Sequence, residues 1–146
     1  MERRNLLRLA CAIFPISALV TRAEAATPPD DAKVAYHLSD LDKVDFVLGN
    51  IRNHFNGMGG PDKVTIALVV HGSALKAFHA ASATPDVSKR TDDMKKSGLQ
   101  LSACIHTMRA QEVTLKDLLP GFIVADKGGV VRLAELQGQG YVYLRP

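Results

Sequence analysis

The sequence predicts an α/β protein: a mainly parallel, five-stranded sheet with helices on both faces. Three observations lead there. Apolar runs of strand length alternate with stretches of helical periodicity from residue 33 to residue 146. The run 63–70 (KVTIALVV) is apolar at nearly every position, as a central strand covered on both faces must be. Repeated strand–helix–strand units close by right-handed crossovers, which set successive strands parallel.

Residues 33–38 (KVAYHL) form the expected first strand. Ser39 is placed to cap the helix after it, with Asp42 as the weak partner of a capping box. Leu41, Val44, Leu48, Ile51 and Phe55 recur at helical spacing and make one apolar stripe, which Gly57, Gly59, Gly60 and Pro61 end. The strand 63–70 stops at His71-Gly72, where Ser73 is placed to cap a short helix through Leu75 and Phe78. Residues 85–97 are polar and predict an exposed helix that Gly98 terminates, with a third strand at 99–103. A short helix follows Cys104, Thr114 caps a single turn running to Leu119, and a fourth strand occupies 122–125. Asp126 is placed to cap a last helix carrying Val130, Leu133, Ala134 and Leu136, and 141–144 is the fifth strand.

Residues 1–25 read as a cleaved export signal. Arg3, Arg4 and Arg8 make a basic start, residues 9–20 are mostly apolar but too few to span a bilayer, and Ala23-Glu24-Ala25 is a small-x-small cleavage site. Arg3-Arg4-Asn5-Leu6-Leu7 fits a twin-arginine signal; Glu2 is atypical before the pair, so general export stays open. Cys11 lies inside the apolar run and leaves with the signal. Residues 26–32 read as a flexible leader, and 33–146 as one domain. Of 146 residues, 121 remain after cleavage behind Ala25, enough for a single core. The signal takes four of the 18 basic and two of the 15 acidic residues, so 14 basic face 13 acidic in the mature chain. That near-neutral balance gives no sign of a nucleic-acid partner, and the absence of tryptophan gives no base- or sugar-stacking platform. No other stretch predicts a membrane span after cleavage. The expected location is the periplasm.

In open parallel sheets, sites form outside the carboxyl ends of the strands. Two ends carry chemistry here: His71-Gly72, and Cys104-Ile105-His106-Thr107. If those strands are neighbours, both ends open into one crevice. Cys104 then stands at the amino end of a helix, where the dipole and free N–H groups favour a thiolate. His71 and His106 are the candidates to assist it, as a positive neighbour or proton donor. A lone cysteine after a strand is also a common small buried hydrophobe. An exported chain that keeps one unpaired cysteine, however, needs that thiol used or shielded. His37, His54 and His79 read as structural or surface residues. The alternation Cys104-x-His106-x-Met108 offers soft donors for copper, provided that the strand continues through Met108. No phosphate loop, paired-carboxylate arrangement or Gly-x-Ser-x-Gly elbow is present.

At these residues the sequence resembles the DsrE/DsrF-like family of small sulfur-relay proteins. The resemblance runs from about Lys33 to Pro146. It rests on the strand at 33–38, the strand ending in His71-Gly72, the segment Gly98-Leu99-Gln100-Leu101-Ser102-Ala103-Cys104, the segment 128–137 (GGVVRLAELQ) and Gly140-Tyr141. It implies a three-layer, flavodoxin-like architecture and assembly into homotrimers or homohexamers. It also implies that Cys104, at the position of the family's sulfur-carrying cysteine, holds sulfane sulfur as a persulfide and passes it between donor and acceptor proteins or small thiols. No cofactor is implied. Relay members work in the cytoplasm, so the export signal separates this chain from their pathways. Two other functions stand beside the carrier: a binding or assembly module with a buried Cys104, and a soft-metal (copper) carrier using Cys104 with His106 or His71.

Overall fold

The computed structural model describes residues 32–146. The expected export signal lies outside the described residues, as does the expected leader except for Ala32, which already belongs to the first strand. Five parallel strands form one sheet: β1 (Ala32–Leu38), β2 (Val64–Val70), β3 (Gln100–Cys104), β4 (Phe122–Ala125) and β5 (Val142–Leu144), in the order β4-β3-β2-β1-β5. Between them lie α1 (Val44–Gly57), α2 (Pro85–Lys96), α3 (Ile105–Ala110) and α4 (Gly129–Gly138), with 3-10 segments at Leu41–Lys43, Gly72–Phe78 and Leu115–Asp117. The five-stranded parallel sheet with helices on both faces is the architecture expected from the sequence.

The two faces are covered unequally, and strand order explains why. From β1 to β4 the chain advances in one direction across the sheet, so right-handed crossovers put every connection on one side. The return from β4 to β5 reverses direction and sends α4 to the other side. The first face holds the main core, where Val34, Tyr36, Leu38, Ile66, Leu68 and Val70 meet Val44, Val47, Leu48, Ile51 and Phe55 of α1. The second is a thin layer of Ala35, Ala67 and Val69 under Leu133 and Leu136 of α4. That layer also takes two of the buried polar side chains, His37 and Ser102.

Three expected caps are corrected by tertiary contacts. Ser39 does not cap a helix; its carbonyl accepts the Ala74 N–H at 3.1 Å. Ser73 does not cap its own segment either, because its hydroxyl accepts the Leu41 N–H at 3.1 Å and so caps the turn after β1 from the neighbouring connection. Asp126 gives way to Gly128 at the start of α4, with no side-chain cap. By contrast, Thr114 and Asp117 form a full capping box. The helix at Pro85–Lys96 is capped by Thr84 and is not wholly exposed, since Val87, Thr91 and Met94 are buried.

Phe78 anchors the 3-10 segment behind β2. It is fully buried and meets Phe122 edge-to-face, with ring centroids 5.4 Å apart. Phe78→Ala is expected to cost about 3–5 kcal/mol in urea unfolding. A loss below about 1 kcal/mol would mean that this segment refills the cavity instead of anchoring the sheet.

Candidate functional site

β2 and β3 are neighbours, with Val70 paired to Ala103, so the chain leaves both strands side by side. His71 and Cys104 therefore emerge together at the carboxyl edge of the sheet, on the face that α4 covers. An ideal Cβ on Gly129, the first residue of α4, would lie 3.3 Å from Cys104 Cβ and 3.4 Å from His71 Cβ. The bare backbone of Gly129 is what lets α4 start so close to both side chains.

Cys104 is the free cysteine of the described residues, only 6% exposed, and it is the residue from which α3 begins. Burial pushes its thiol up. Against that act the N–H groups of Thr107, Gly129 and His106 and the Thr107 hydroxyl, and the balance leaves the thiol below its ordinary value. Cys104 makes no strict side-chain cap bond, so these groups act as dipoles aimed at sulfur from the starts of two helices. α4 needs no side-chain cap at this end because its first N–H is directed at the thiol. Thr107 is fixed beside the sulfur by β2's exit, because its hydroxyl oxygen accepts the Gly72 N–H at 2.9 Å. Gln111 ties the same joint, donating from Nε2 to the Gly72 carbonyl at 2.9 Å and accepting from His79 Nε2 at 2.8 Å.

His71 does not stand alone. Its Nε2 is hydrogen-bonded to Nε2 of His37, and the two ring planes lie 21° apart with centroids 4.6 Å apart. His37 Nδ1 is in turn 2.7 Å from the Tyr143 hydroxyl. Desolvation lowers His37 to about 4, helped by His71 and Arg145 and opposed by Asp40. Desolvation and Arg145 lower His71 as well, again opposed by Asp40. Both imidazoles are therefore neutral near pH 7. Arg145 and Asp40 form an ion pair at 3.5 Å above them.

Of the three residues singled out in the sequence, Cys104 and His71 meet over Gly129, whereas His106 stands at the rim. His106 is exposed, and its ring packs on Gly128, whose φ of 100° and lack of Cβ leave it room. His37 is corrected from a structural or surface residue to a member of this cluster. Tyr143 also escaped the sequence reading, and Thr107 and Gly129, which it named only within longer segments, were given no role of their own. Alternation was the signal for His37, since it lies at period two from Ala35 on the face opposite Tyr36 and Leu38. His54 and His79 sit apart, bonded to Tyr36 and Gln111. The donor set Cys104, His106 and Met108 does not converge, because α3 starts at Ile105 and turns Met108 into the main core. Among the described residues, no three His, Cys, Asp or Glu side chains gather as metal ligands.

These features define a class: a three-layer α/β protein whose described residues place one buried, N–H-supported thiol at the carboxyl ends of its strands. Among solved structures, the chain is similar to a protein of unknown function from Methanobacterium thermoautotrophicum, with 26% identity, a TM-score of 0.70 and coverage of 80% of this chain and 100% of that one. It is also similar to a conserved protein of unknown function from Bacteroides thetaiotaomicron (19% identity, TM-score 0.56, 84% and 100% covered). The ychN protein from E. coli shares the fold at 10% identity and a TM-score of 0.56, with 80% and 99% covered. The last two likenesses concern the fold alone. No family model and no curated protein matches the chain.

Proposed function

We propose that this chain is an exported sulfur carrier of the DsrE/DsrF-like kind, in which Cys104 takes up sulfane sulfur as a persulfide. The observation that carries the reading is the setting of the thiol: burial alone would silence it, yet N–H groups from α3 and α4 hold it below its ordinary value. Loading is a thiolate attack on a sulfane donor. With thiosulfate, the Cys104 thiolate bonds the outer sulfur, the S–S bond of the donor breaks, and sulfite leaves with the electron pair. Unloading is attack by an acceptor thiolate on the outer sulfur, which restores the Cys104 thiolate and leaves the acceptor persulfidated. Neither step needs a second cysteine or an outside oxidant. The N–H groups that favour the thiolate also favour the persulfide anion, which is why the carrier can hold its load. Export behind residues 1–25 and assembly into homotrimers or homohexamers belong to the same proposal. Ile123 on the edge strand β4, and Val130 and Val131 on α4, are exposed apolar side chains suited to cover by a second copy.

The test is intact mass after incubation with thiosulfate, polysulfide or glutathione persulfide, beside Cys104→Ser. The expected result is a gain of one sulfur atom that reductant reverses and that the variant lacks entirely. A second reading is favoured by the low exposure of Cys104: a binding or assembly module in which the thiol is only packing. An unloaded and unlabelled Cys104 in the folded protein would establish that reading in place of the carrier.

A further inference from the structure

We propose that His37 and His71 form a two-coordinate site for a soft monovalent ion, copper(I), held between their Nε2 atoms, with Tyr143 as the positioning residue behind His37. The inference is independent of the sulfur reading, because neither Cys104 nor a persulfide takes part in it. The two imidazoles come from neighbouring parallel strands. His37 lies on β1, and His71 follows β2, its N–H donating to the Leu38 carbonyl at 3.0 Å. Nε2 is bonded to Nε2 while the centroids stand 4.6 Å apart and the planes differ by 21°, so both nitrogens lie between the two ring centres. Donor atoms that face each other along one line are the arrangement a linear, two-coordinate ion requires. His37 is buried, and around it the face is built from Ala35, Ala67, Val69, Leu133 and Leu136, so an imidazole pair has no packing reason to be there.

The hydrogen bonds suit both rings to the role. His37 Nδ1 lies 2.7 Å from the Tyr143 hydroxyl. With Nδ1–H donating to that oxygen, the ring is fixed and the Nε2 lone pair is free, as an outer partner does for a metal-bound imidazole. Without the ion, His71 donates from Nε2 to His37 Nε2. Binding trades that bond for two nitrogen–metal bonds, and the His71 proton moves from Nε2 to Nδ1, so both rings stay neutral and no proton is released. Desolvation already holds both imidazoles neutral near pH 7, so protons do not compete for the lone pairs. Among the described residues no third His, Cys, Asp or Glu joins the pair, Cys104 included, which leaves zinc short of the ligands it needs. Arg145 faces the pair and disfavours added positive charge, with Asp40 opposing it, so a monovalent ion costs least. Copper(I) combines single charge, affinity for imidazole and acceptance of two ligands. Imidazole–metal bonds of about 2.0 Å set the nitrogens about 4 Å apart, wider than a hydrogen bond. The half-buried His71 side chain gives way, while His37 stays between β1 and Tyr143.

The experiment titrates the Cys104→Ser protein with copper(I) under anaerobic conditions, in competition with the chelator bicinchoninate, so that the thiol is removed as a ligand. One copper(I) per chain is expected. Adding His37→Gln or His71→Gln is expected to abolish uptake, and Tyr143→Phe to weaken it by about tenfold or more, each variant checked for fold by circular dichroism. Unchanged uptake in both histidine variants overturns the site, as does a Cys104→Ser protein that takes up no copper. An unmoved affinity in Tyr143→Phe overturns the positioning role, since a purely structural tyrosine changes stability alone. If a variant fails to fold, the unsubstituted protein decides. Silver(I), a redox-inert ion of the same charge and coordination, is expected to shift the Nε2 resonances of His37 and His71 in nitrogen NMR, and fixed resonances overturn the site. Sulfur loading of Cys104 uses none of these ligands. Absent copper uptake therefore leaves the carrier reading standing, and absent sulfur loading leaves this site standing.

Discussion

Gly129→Ala is expected to slow alkylation of Cys104, and with it the proposed sulfur loading, by about tenfold or more while the fold is retained. At an ordinary helix start, alanine in place of glycine is stabilising by a few tenths to about 1 kcal/mol, because it narrows the unfolded chain. Here the added methyl lands 3.3 Å from Cys104 Cβ and 3.4 Å from His71 Cβ, closer than a relaxed carbon–carbon contact. The start of α4 has to retreat by a few tenths of an ångström, and its first N–H retreats with it. That N–H is among the groups holding the thiol below its ordinary value. The methyl also fills the space between the thiol and His71. The variant thus loses dipolar support for the thiol at little thermodynamic cost. Intact-mass loading and the alkylation rate measure the effect, with a urea melt beside them. A variant that loads at the wild-type rate would show that α4 neither supports nor crowds the thiol.

Acidification is the second large effect. His37 titrates near 6.5 in an unfolded chain and at about 4 in the fold, chiefly because the imidazole is buried. Between those values the unfolded chain binds a proton that the folded chain refuses, so stability falls as pH falls. The contribution is fully present above about pH 6.5 and is lost by about pH 4, worth up to about 3 kcal/mol for this one group. His71 and His54 are lowered too and add loss in the same direction. The measurement is the unfolding free energy at pH 7 and pH 4.5 for the protein and for His37→Gln. The variant is expected to lose markedly less on acidification. Equal losses in the two would mean that His37 is solvated in the fold and that its bonds to His71 and Tyr143 do not hold it neutral.

Both effects converge on a region that the sequence described only in part. The alternation of apolar runs with helical stripes was enough to count five strands and to cover the sheet on both sides, because periods of two and 3.6 leave direct marks on which residues are apolar. The ends of β2 and β3 were readable as a crevice for the same reason, and with them Cys104 and His71. Caps were less readable. The Leu41 turn takes its cap from Ser73, 32 residues away, and α4 offers its first N–H to a thiol from another strand. Capping motifs are local patterns, and these partners are not local.

The sequence by itself determined the α/β class, the strand count, the placement of one cysteine at a strand end and the residues of the main core, all through periodicity and residue type along the chain. Only the tertiary structure decided that α4 stands alone on its face, that Gly129 separates Cys104 from His71 by no more than a backbone, and that His37 and Tyr143 extend that site outward. The physical reason is strand order. β5 pairs with β1 and not with β4, which carries Tyr143 across the sheet to His37 and sends α4 over the thiol. No spacing in the chain encodes that reversal; it follows from the pairing of strands whose sequence separation exceeds a hundred residues, as between Val34 and Val142.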